Sequence, residues 1–442
     1  MAGGTFNEAV GKTRAGLYIN FKAAALARIQ SGSRGTVTIP LVLNWGNPKT
    51  FLSIEEEADA FDKLGYDINE DEMLMIRETK KKAKTALVYR LNVGVKAQVS
   101  WGVNPVTAIA KFGGTRGNDI KVIAETNVLD NAKMDVKTLV DNREQNVQTV
   151  ATIEDLVANE WIGDWQGVGA IEATVGTNLT GGTNGVVINQ DHTDFLSATE
   201  TQKFDVIAYP VNDPTLQSSF VTFIKRMRDD EGKKIQGVVP GYAGDHEGII
   251  NVKNGVELED DTKLDNVQTV AWVAGASAGA SVSESNTYAT YEGATDANPR
   301  LKHGEIVEAL KKGEFVFIHD GESVKVEQDI NSLVTFGQDK NKRFTKNRVI
   351  RVLDAINNDL MREFNKSFVG KVDNEEDGQS LLKDAVIQYF YDLQDAKALK
   401  NVNPDEDFVI NSEKSIGEEV WADVGAQPVD SMEKFFFAVR VR

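Results

Sequence analysis

The sequence predicts an α+β multidomain protein with a mixed α/β core, an inserted β-sandwich or barrel domain, and extended N- and C-terminal strand arms. Three observations lead there. The 442 residues exceed one ordinary core and suggest about two to four domains. Helical and strand periodicities alternate through much of the chain but give way to short β-prone runs over 92–185. Both ends read as apolar strands that stop with no partner strand beside them.

The elements follow in chain order. Residues 1–35 form an N-terminal arm in which Leu17, Tyr18, Ile19 and Phe21 lie in a strand-like run after Arg14, Ala15 and Gly16. Residues 36–91 begin the core. They hold a strand over 36–42, a helix starting at Ser53 with Glu55, Glu56 and Glu57 in its first turn, and a strand over 84–91. Runs at 106–109, 120–123 and 148–150, separated by turn signals at Gly113-Gly114, Asp141-Asn142 and Gly181-Gly182, make 92–185 the inserted sandwich.

Residues 186–338 read as the α/β core, with strands over 204–209, 235–239 and 315–318. Asp213 before Pro214 is a helix start, and Leu216, Phe220, Phe223, Ile224 and Met227 recur at helical spacing behind it. Residues 267–280 suit a helix of small side chains. In 339–430 two helices show apolar stripes, one through Val349, Val352, Leu353, Ile356, Leu360 and Phe364, the other through Leu382, Ala385, Val386, Tyr389, Phe390 and Leu393. Residues 431–442 are the C-terminal arm. There Phe435, Phe437, Val439 and Val441 form one apolar face, with Phe436 and two arginines on the other.

Composition narrows the function classes. Hydrophobic residues at 41% and charged residues at 26% describe a folded chain. With 49 Lys plus Arg against 67 Asp plus Glu, the net charge of −18 opposes general binding to nucleic acid or an anionic membrane. The absence of cysteine excludes disulfides, thiolate metal sites and a cysteine nucleophile. No basic stretch followed by an apolar run opens the chain, and no run approaches about eighteen apolar residues, so neither a signal peptide nor a membrane span is expected.

Charge is also uneven. Up to residue 54 Glu8 is the only acid, against Lys12, Arg14, Lys22, Arg28, Arg34 and Lys49. A second basic window holds Lys340, Lys342, Arg343, Lys346, Arg348 and Arg351, with no acid before Leu353. Such a window is either a solvated face or a contact for an acidic partner, including another copy of the same acidic chain.

The candidate chemistry is thin. His192, His246, His303 and His319 lack metal-ligand spacing, and no metal or cofactor is expected. Asp245-His246-Glu247 looks like acid/base chemistry, but adjacent residues do not face one another, and a Gly-flanked surface loop is the expected reading. The 113–119 stretch lacks the Gly-Lys-Ser/Thr ending of a phosphate loop and reads as a turn. Gly275-Ala276-Ser277-Ala278-Gly279 matches a nucleophile elbow only in pattern, since the residues after it suit a packed helix poorly; close packing of small residues is expected instead. Asp373 to Asp384 approaches a calcium loop but departs from it at several ligand positions and reads as an acidic loop between helices.

Taken in order, Arg14 to Ile19, Gly114-Thr115-Arg116-Gly117-Asn118-Asp119-Ile120, Val270-Ala271-Trp272-Val273-Ala274-Gly275, Asn347-Arg348-Val349 with its helix, and the aromatic C-terminal strand resemble the contractile tail sheath proteins, specifically those of PBSX-like phages of Gram-positive bacteria and phage-derived bacteriocins. Ala15 stands where such sheaths often carry proline. The resemblance implies a non-enzymatic structural subunit, stacked as hexameric rings around a tail tube and contracting to drive that tube through a bacterial envelope. It implies partners in other copies of itself, the tube protein, and baseplate and tail-terminator proteins, with no membrane or direct nucleic-acid contact. It also implies assembly in the host cytoplasm and residence in a virion tail or tail-like particle. The arms at Leu17, Tyr18, Ile19, Phe21, Phe435, Phe436, Phe437, Val439 and Val441 would then add strands to neighbouring subunits. The basic window would face the tube or a neighbour.

Two other classes compete. An adhesive or glycan-binding β protein would carry its activity in 92–185, and an α/β enzyme would use Ser277 with His303 or His246.

Overall fold

The computed structural model describes residues 2–4, 16–18, 29–30, 32 and 34–441. The chain divides into two compact units, 33–354 with 430–442, and 1–32 with 355–429.

The first unit is built on a seven-stranded sheet in the spatial order Glu314–Phe315, Ile249–Val252, Gln236–Pro240, Val206–Ala208, Thr36–Leu41, Thr85–Arg90 and Phe51–Ile54. Neighbours run parallel except the last pair, which is antiparallel. Parallel strands covered on both faces need apolar side chains on both, and Gln236–Pro240 and Ile249–Val252 are buried throughout. Their alternation divides two cores. Val206, Ala208, Val238, Ile250 and Val252 face the helix Asn266–Gly279, where Trp272 stacks on Tyr291 at 4.6 Å. Ile207, Tyr209, Val239 and Ile249 face the helix Pro214–Asp229, where Phe220 stacks on Tyr209 at 4.4 Å. Asp213 caps that helix as its sequence implies, accepting from the Thr215 and Leu216 amides at 2.9 Å each.

Asn266–Gly279 is the small-residue helix, and its spacing has a direct cause. A Cβ on Gly275 would lie 2.4 Å from the Thr79 carbonyl oxygen, and one on Gly279 would lie 2.0 Å from that of Lys82. The two glycines let the C-terminal end of the helix Leu74–Lys80 and the turn after it approach at backbone distance.

The inserted domain is a β-sandwich. One sheet orders Arg143–Val150, Met134–Val140, Ile120–Thr126 and Thr174–Asn178; the other orders Ile162–Gln166, Val106–Gly113 and Lys96–Trp101. Val122, Ala124, Val136, Ala108, Ala110 and Ile162 fill the space between them. The Gly114 to Ile120 motif joins this domain to the core. Gly114, at φ 138°, sits where a Cβ would be 1.9 Å from the Asn44 carbonyl oxygen. Arg116 is buried, donates to the Gly65 carbonyl at 2.9 Å and grips Asp141 with two nitrogens at 2.9 and 2.6 Å.

In the second unit, the helix Glu376–Asp395 buries Val386, Ile387, Tyr389, Phe390 and Leu393, close to its expected stripe. The Tyr389 hydroxyl donates to Asp359 at 2.7 Å. A two-stranded antiparallel sheet, Phe408–Ile410 with Ala422–Val424, lies against that helix through its first strand.

Several expectations are corrected. Ser53 lies within the strand Phe51–Ile54 rather than opening a helix; the helix is Ala58–Leu64, because residues 51–54 are taken up by pairing with Thr85–Arg90. The strand expected over 315–318 is interrupted at Val316, between Glu314–Phe315 and Phe317–His319, which pair with different partners. The strand Gly16–Tyr18 is not without a partner, since it pairs in parallel with Ala2–Gly4. Ile19 and Phe21 lie outside the described residues. Glu376 onward is helical, so the stretch up to Asp384 is no long interhelical loop.

Candidate functional site

Among the described residues, the final segment is a continuous run of exposed, largely apolar side chains. Phe435, Phe436, Phe437, Val439 and Val441 range from 63% to 96% exposed, and residues 435–441 pair with no strand among the described residues. The expected C-terminal strand is therefore absent in the isolated subunit, for a simple reason: a strand exists only through hydrogen bonds to a neighbour. Its side-chain pattern persists without them. The Phe435 and Phe437 rings stack with centroids 6.2 Å apart and planes 7° from parallel, which puts alternate residues on one face.

In the second unit, the sheet Phe408–Ile410 with Ala422–Val424 is short and has no third strand among the described residues. Val409, Ile416, Val420, Trp421 and Val424 around it are exposed. Two strands alone are marginal in water, and open edges offer unpaired backbone donors and acceptors. The side chains of Leu17 and Tyr18 fall outside the described atoms, so only their backbone pairing is placed.

The structure disperses the basic window. Arg351 is buried at 1% exposure, donates to the Glu284 carbonyl and lies 3.5 Å from Asp329; burial pushes its guanidinium below the ordinary value. It presents no charge to a partner. Lys340 donates to Glu247 at 2.7 Å. Lys346 pairs with Glu433, and Arg348 donates to Ser431 at 2.8 Å. Lys342 is exposed on the rim of a cavity of about 820 Å³, whose lining includes Leu310, Leu333, Phe336 and Met432. Arg343 is exposed in the short helical turn Lys342–Thr345. Nothing in the sequence marks Thr287, Ser431 or Glu433, since a lone acid before an aromatic run gives no local sign of its partner.

The acid/base triplet is not a surface loop. His246 and Glu247 are buried because residues 245–248 lead directly into the fully buried strand Ile249–Val252. His246, Glu247 and Asp229 are the one set of potential metal-ligating atoms that comes together among the described residues. The hydrogen bonding argues against metal. His246 Nδ1 accepts from the Gly248 amide at 3.0 Å, so the neutral ring carries its proton on Nε2, the nitrogen that faces Asp229 and Glu247 at 3.5 and 3.6 Å. Lys340 already neutralises Glu247. Burial pushes the His246 pKa below the ordinary imidazole value. Nearby, burial opposes the Arg228 charge, but Asp354, bound through two contacts of 2.8 Å, more than offsets this and raises its pKa.

Ser277 donates to Gln236 at 2.8 Å in the buried core, and residues 270–273 are helical, so no strand-to-helix elbow exists. Among the described residues no helix is long and apolar enough to cross a membrane.

Comparison with known proteins bears on the whole chain. Residues 34–91 match the tail sheath protein Gp18 domain III N-terminal region, 82–184 the phage tail sheath protein β-sandwich domain, 185–332 the phage tail sheath protein central domain, and 339–442 the phage tail sheath C-terminal domain. The chain is 45% identical to the phage-like element PBSX protein XkdK of Bacillus subtilis, with all of both chains covered. It is 47% identical to the crystal structure of a sheath tail protein from Desulfitobacterium hafniense, at a TM-score of 0.87, covering 94% of this chain and 97% of that one. At 13% identity and a TM-score of 0.58 it shares its fold with the helical sheath of the anti-feeding prophage in the contracted state, covering 98% of this chain and 99% of that one.

Proposed function

This chain belongs to the phage tail sheath protein family, and from that premise we propose that its copies stack as six-membered rings around a tail tube and contract to drive the tube through a bacterial envelope. It is a structural subunit of a phage tail or phage-like particle, not an enzyme. The single observation that carries the proposal is the exposed, strand-patterned segment 435–441, which lacks a partner within its own described chain.

An extended segment with an apolar face gains most by joining a sheet edge, where backbone hydrogen bonds supply affinity and alternate side chains supply specificity. Phe435, Phe436, Phe437, Val439 and Val441 add a strand to a neighbouring copy, and the N-terminal residues Leu17, Tyr18, Ile19 and Phe21 act in the same way. The short sheet Phe408–Ile410 with Ala422–Val424 is the receiving edge, because it has open sides and exposed apolar neighbours. Such donor-to-acceptor contacts do not close within a pair, and so propagate as a helix.

Within the basic window, Lys342 and Arg343 lie exposed at the surface, where a tube or neighbour contact would meet them. Baseplate and terminator proteins bound the polymer at its ends, and assembly takes place in the host cytoplasm.

Negative-stain microscopy of the purified full-length chain tests the reading. Tubes or stacked rings are expected, together with their loss in a chain truncated after Lys434. Monomers at every concentration, or tubes that survive the truncation, would overturn it.

A further inference from the structure

Glu433 is held from two sides. One carboxylate oxygen accepts from the Thr287 hydroxyl at 2.9 Å, and the other pairs with Lys346. The Lys346 and Glu433 side chains are 18% and 10% exposed, so the pair is largely withdrawn from solvent and weakly screened. Thr287 is itself fixed. Its oxygen accepts from the Asp329 amide at 2.9 Å, which commits its proton to Glu433, and Asp329 accepts from Asn286 at 3.0 Å and Asn347 at 2.8 Å. Two residues before Glu433, Ser431 accepts from Arg348 at 2.8 Å.

The spacing matters. Ser431 and Glu433 turn towards the body while Met432 between them is 86% exposed, the alternation of an extended chain. Carried forward with the same period, the face that bears Ser431 and Glu433 is the face that bears Phe435, Phe437, Val439 and Val441.

We propose that Thr287, Lys346 and Arg348 form a clasp on Ser431 and Glu433 that sets which face of the C-terminal segment is presented to a neighbouring copy, and from what point it departs. The inference rests on the strand-donating role proposed above and deepens it. A one-residue slip in a strand moves every side chain to the opposite face. Without a fixed root the apolar face would be presented in either sense, and the segment would lose orientation before it reached its partner. The clasp residues are therefore positioning residues, acting on assembly through the segment they hold. They also explain why a window of cations on an acidic chain is so largely consumed within the subunit.

The test measures the protein concentration at which full-length chain begins to form pelletable tubes, in four kinds of variant. Lys346→Glu and Glu433→Lys singly are expected to raise that concentration by about tenfold or more, the effect of leaving a partly buried charge unpaired. The combined Lys346→Glu/Glu433→Lys swap is expected to recover it in part, since it re-forms the ion pair but not the Thr287 contact. Insertion of one glycine after Lys434 is expected to block tubes, and insertion of two to recover them in part. Phe437→Asp with Val439→Asp probes strand donation itself. If that double variant assembles normally, the strand-donating reading fails. If it does not assemble while the single charge reversals assemble like the parent, or the swap gives no recovery, the clasp is overturned and strand donation stands.

Discussion

At Gly279 the nearest foreign atom to an added Cβ would be the Lys82 carbonyl oxygen, backbone that cannot swing aside. Gly279→Ala should therefore destabilise the folded chain by about 1–3 kcal/mol in denaturant unfolding, as overpacking does elsewhere, although alanine is the better helix former. An unchanged or raised stability would mean that the turn after the helix Leu74–Lys80 yields easily. The buried histidines supply a second residue-level outcome. Burial lowers the pKa of both His192 and His246, so the folded chain resists protons that the unfolded chain takes up below about pH 6.5. Their contribution to stability is complete above that pH and is lost as pH falls through it, by up to about 1.4 kcal/mol per pH unit for each. Melting between pH 7.5 and 5.5 should show this fall, and it should flatten in a His192→Gln/His246→Gln variant. A fall of equal slope in that variant would assign it to other groups.

Among the elements, the segment 435–441 differs from every strand of the core. Burying Phe435, Phe437, Val439 and Val441 would contribute roughly 6–12 kcal/mol, while fixing about eight residues costs roughly 8–16 kcal/mol. The two nearly offset, in keeping with a segment that pairs with no strand of its own described chain and would, on the proposed function, order when a preformed sheet edge adds backbone hydrogen bonds. For the same reason, truncation after Lys434 should remove tubes yet leave the melting temperature of the unassembled subunit unchanged, because Ser431 and Glu433 keep their contacts. A lowered melting temperature would show that the segment stabilises its own body. The core strands Thr36–Leu41, Thr85–Arg90, Val206–Ala208 and Gln236–Pro240 were legible in the sequence because each sits in a β-prone, largely apolar run, whereas Phe51–Ile54 and Ile249–Val252 were not. The break at Val316 was not legible, since nothing local marks where one strand changes partner.

For the molecule as a whole, function lies in contacts between copies. On the proposed function, terminal segments could stay paired while the bodies they leave repack, which would give contraction a route that never dissolves the polymer. Hydrogen exchange on extended and contracted tubes should then find the amides of 435–441 protected in both states. Lack of protection in both would sink this arrangement. The alternation at the C-terminal end, the glycine spacing of the 266–279 helix and the sandwich runs at 106–109, 120–123 and 148–150 were readable in sequence, because each is a pattern within a few residues of itself. Tertiary structure alone decided the fate of the charges. Lys340 meets Glu247, Lys346 meets Glu433 and Arg351 sinks beside Asp329. It also buried the histidine that the sequence placed in a surface loop. Ion pairing and desolvation depend on what the fold brings within a few ångströms from far along the chain, and no local pattern carries that distance.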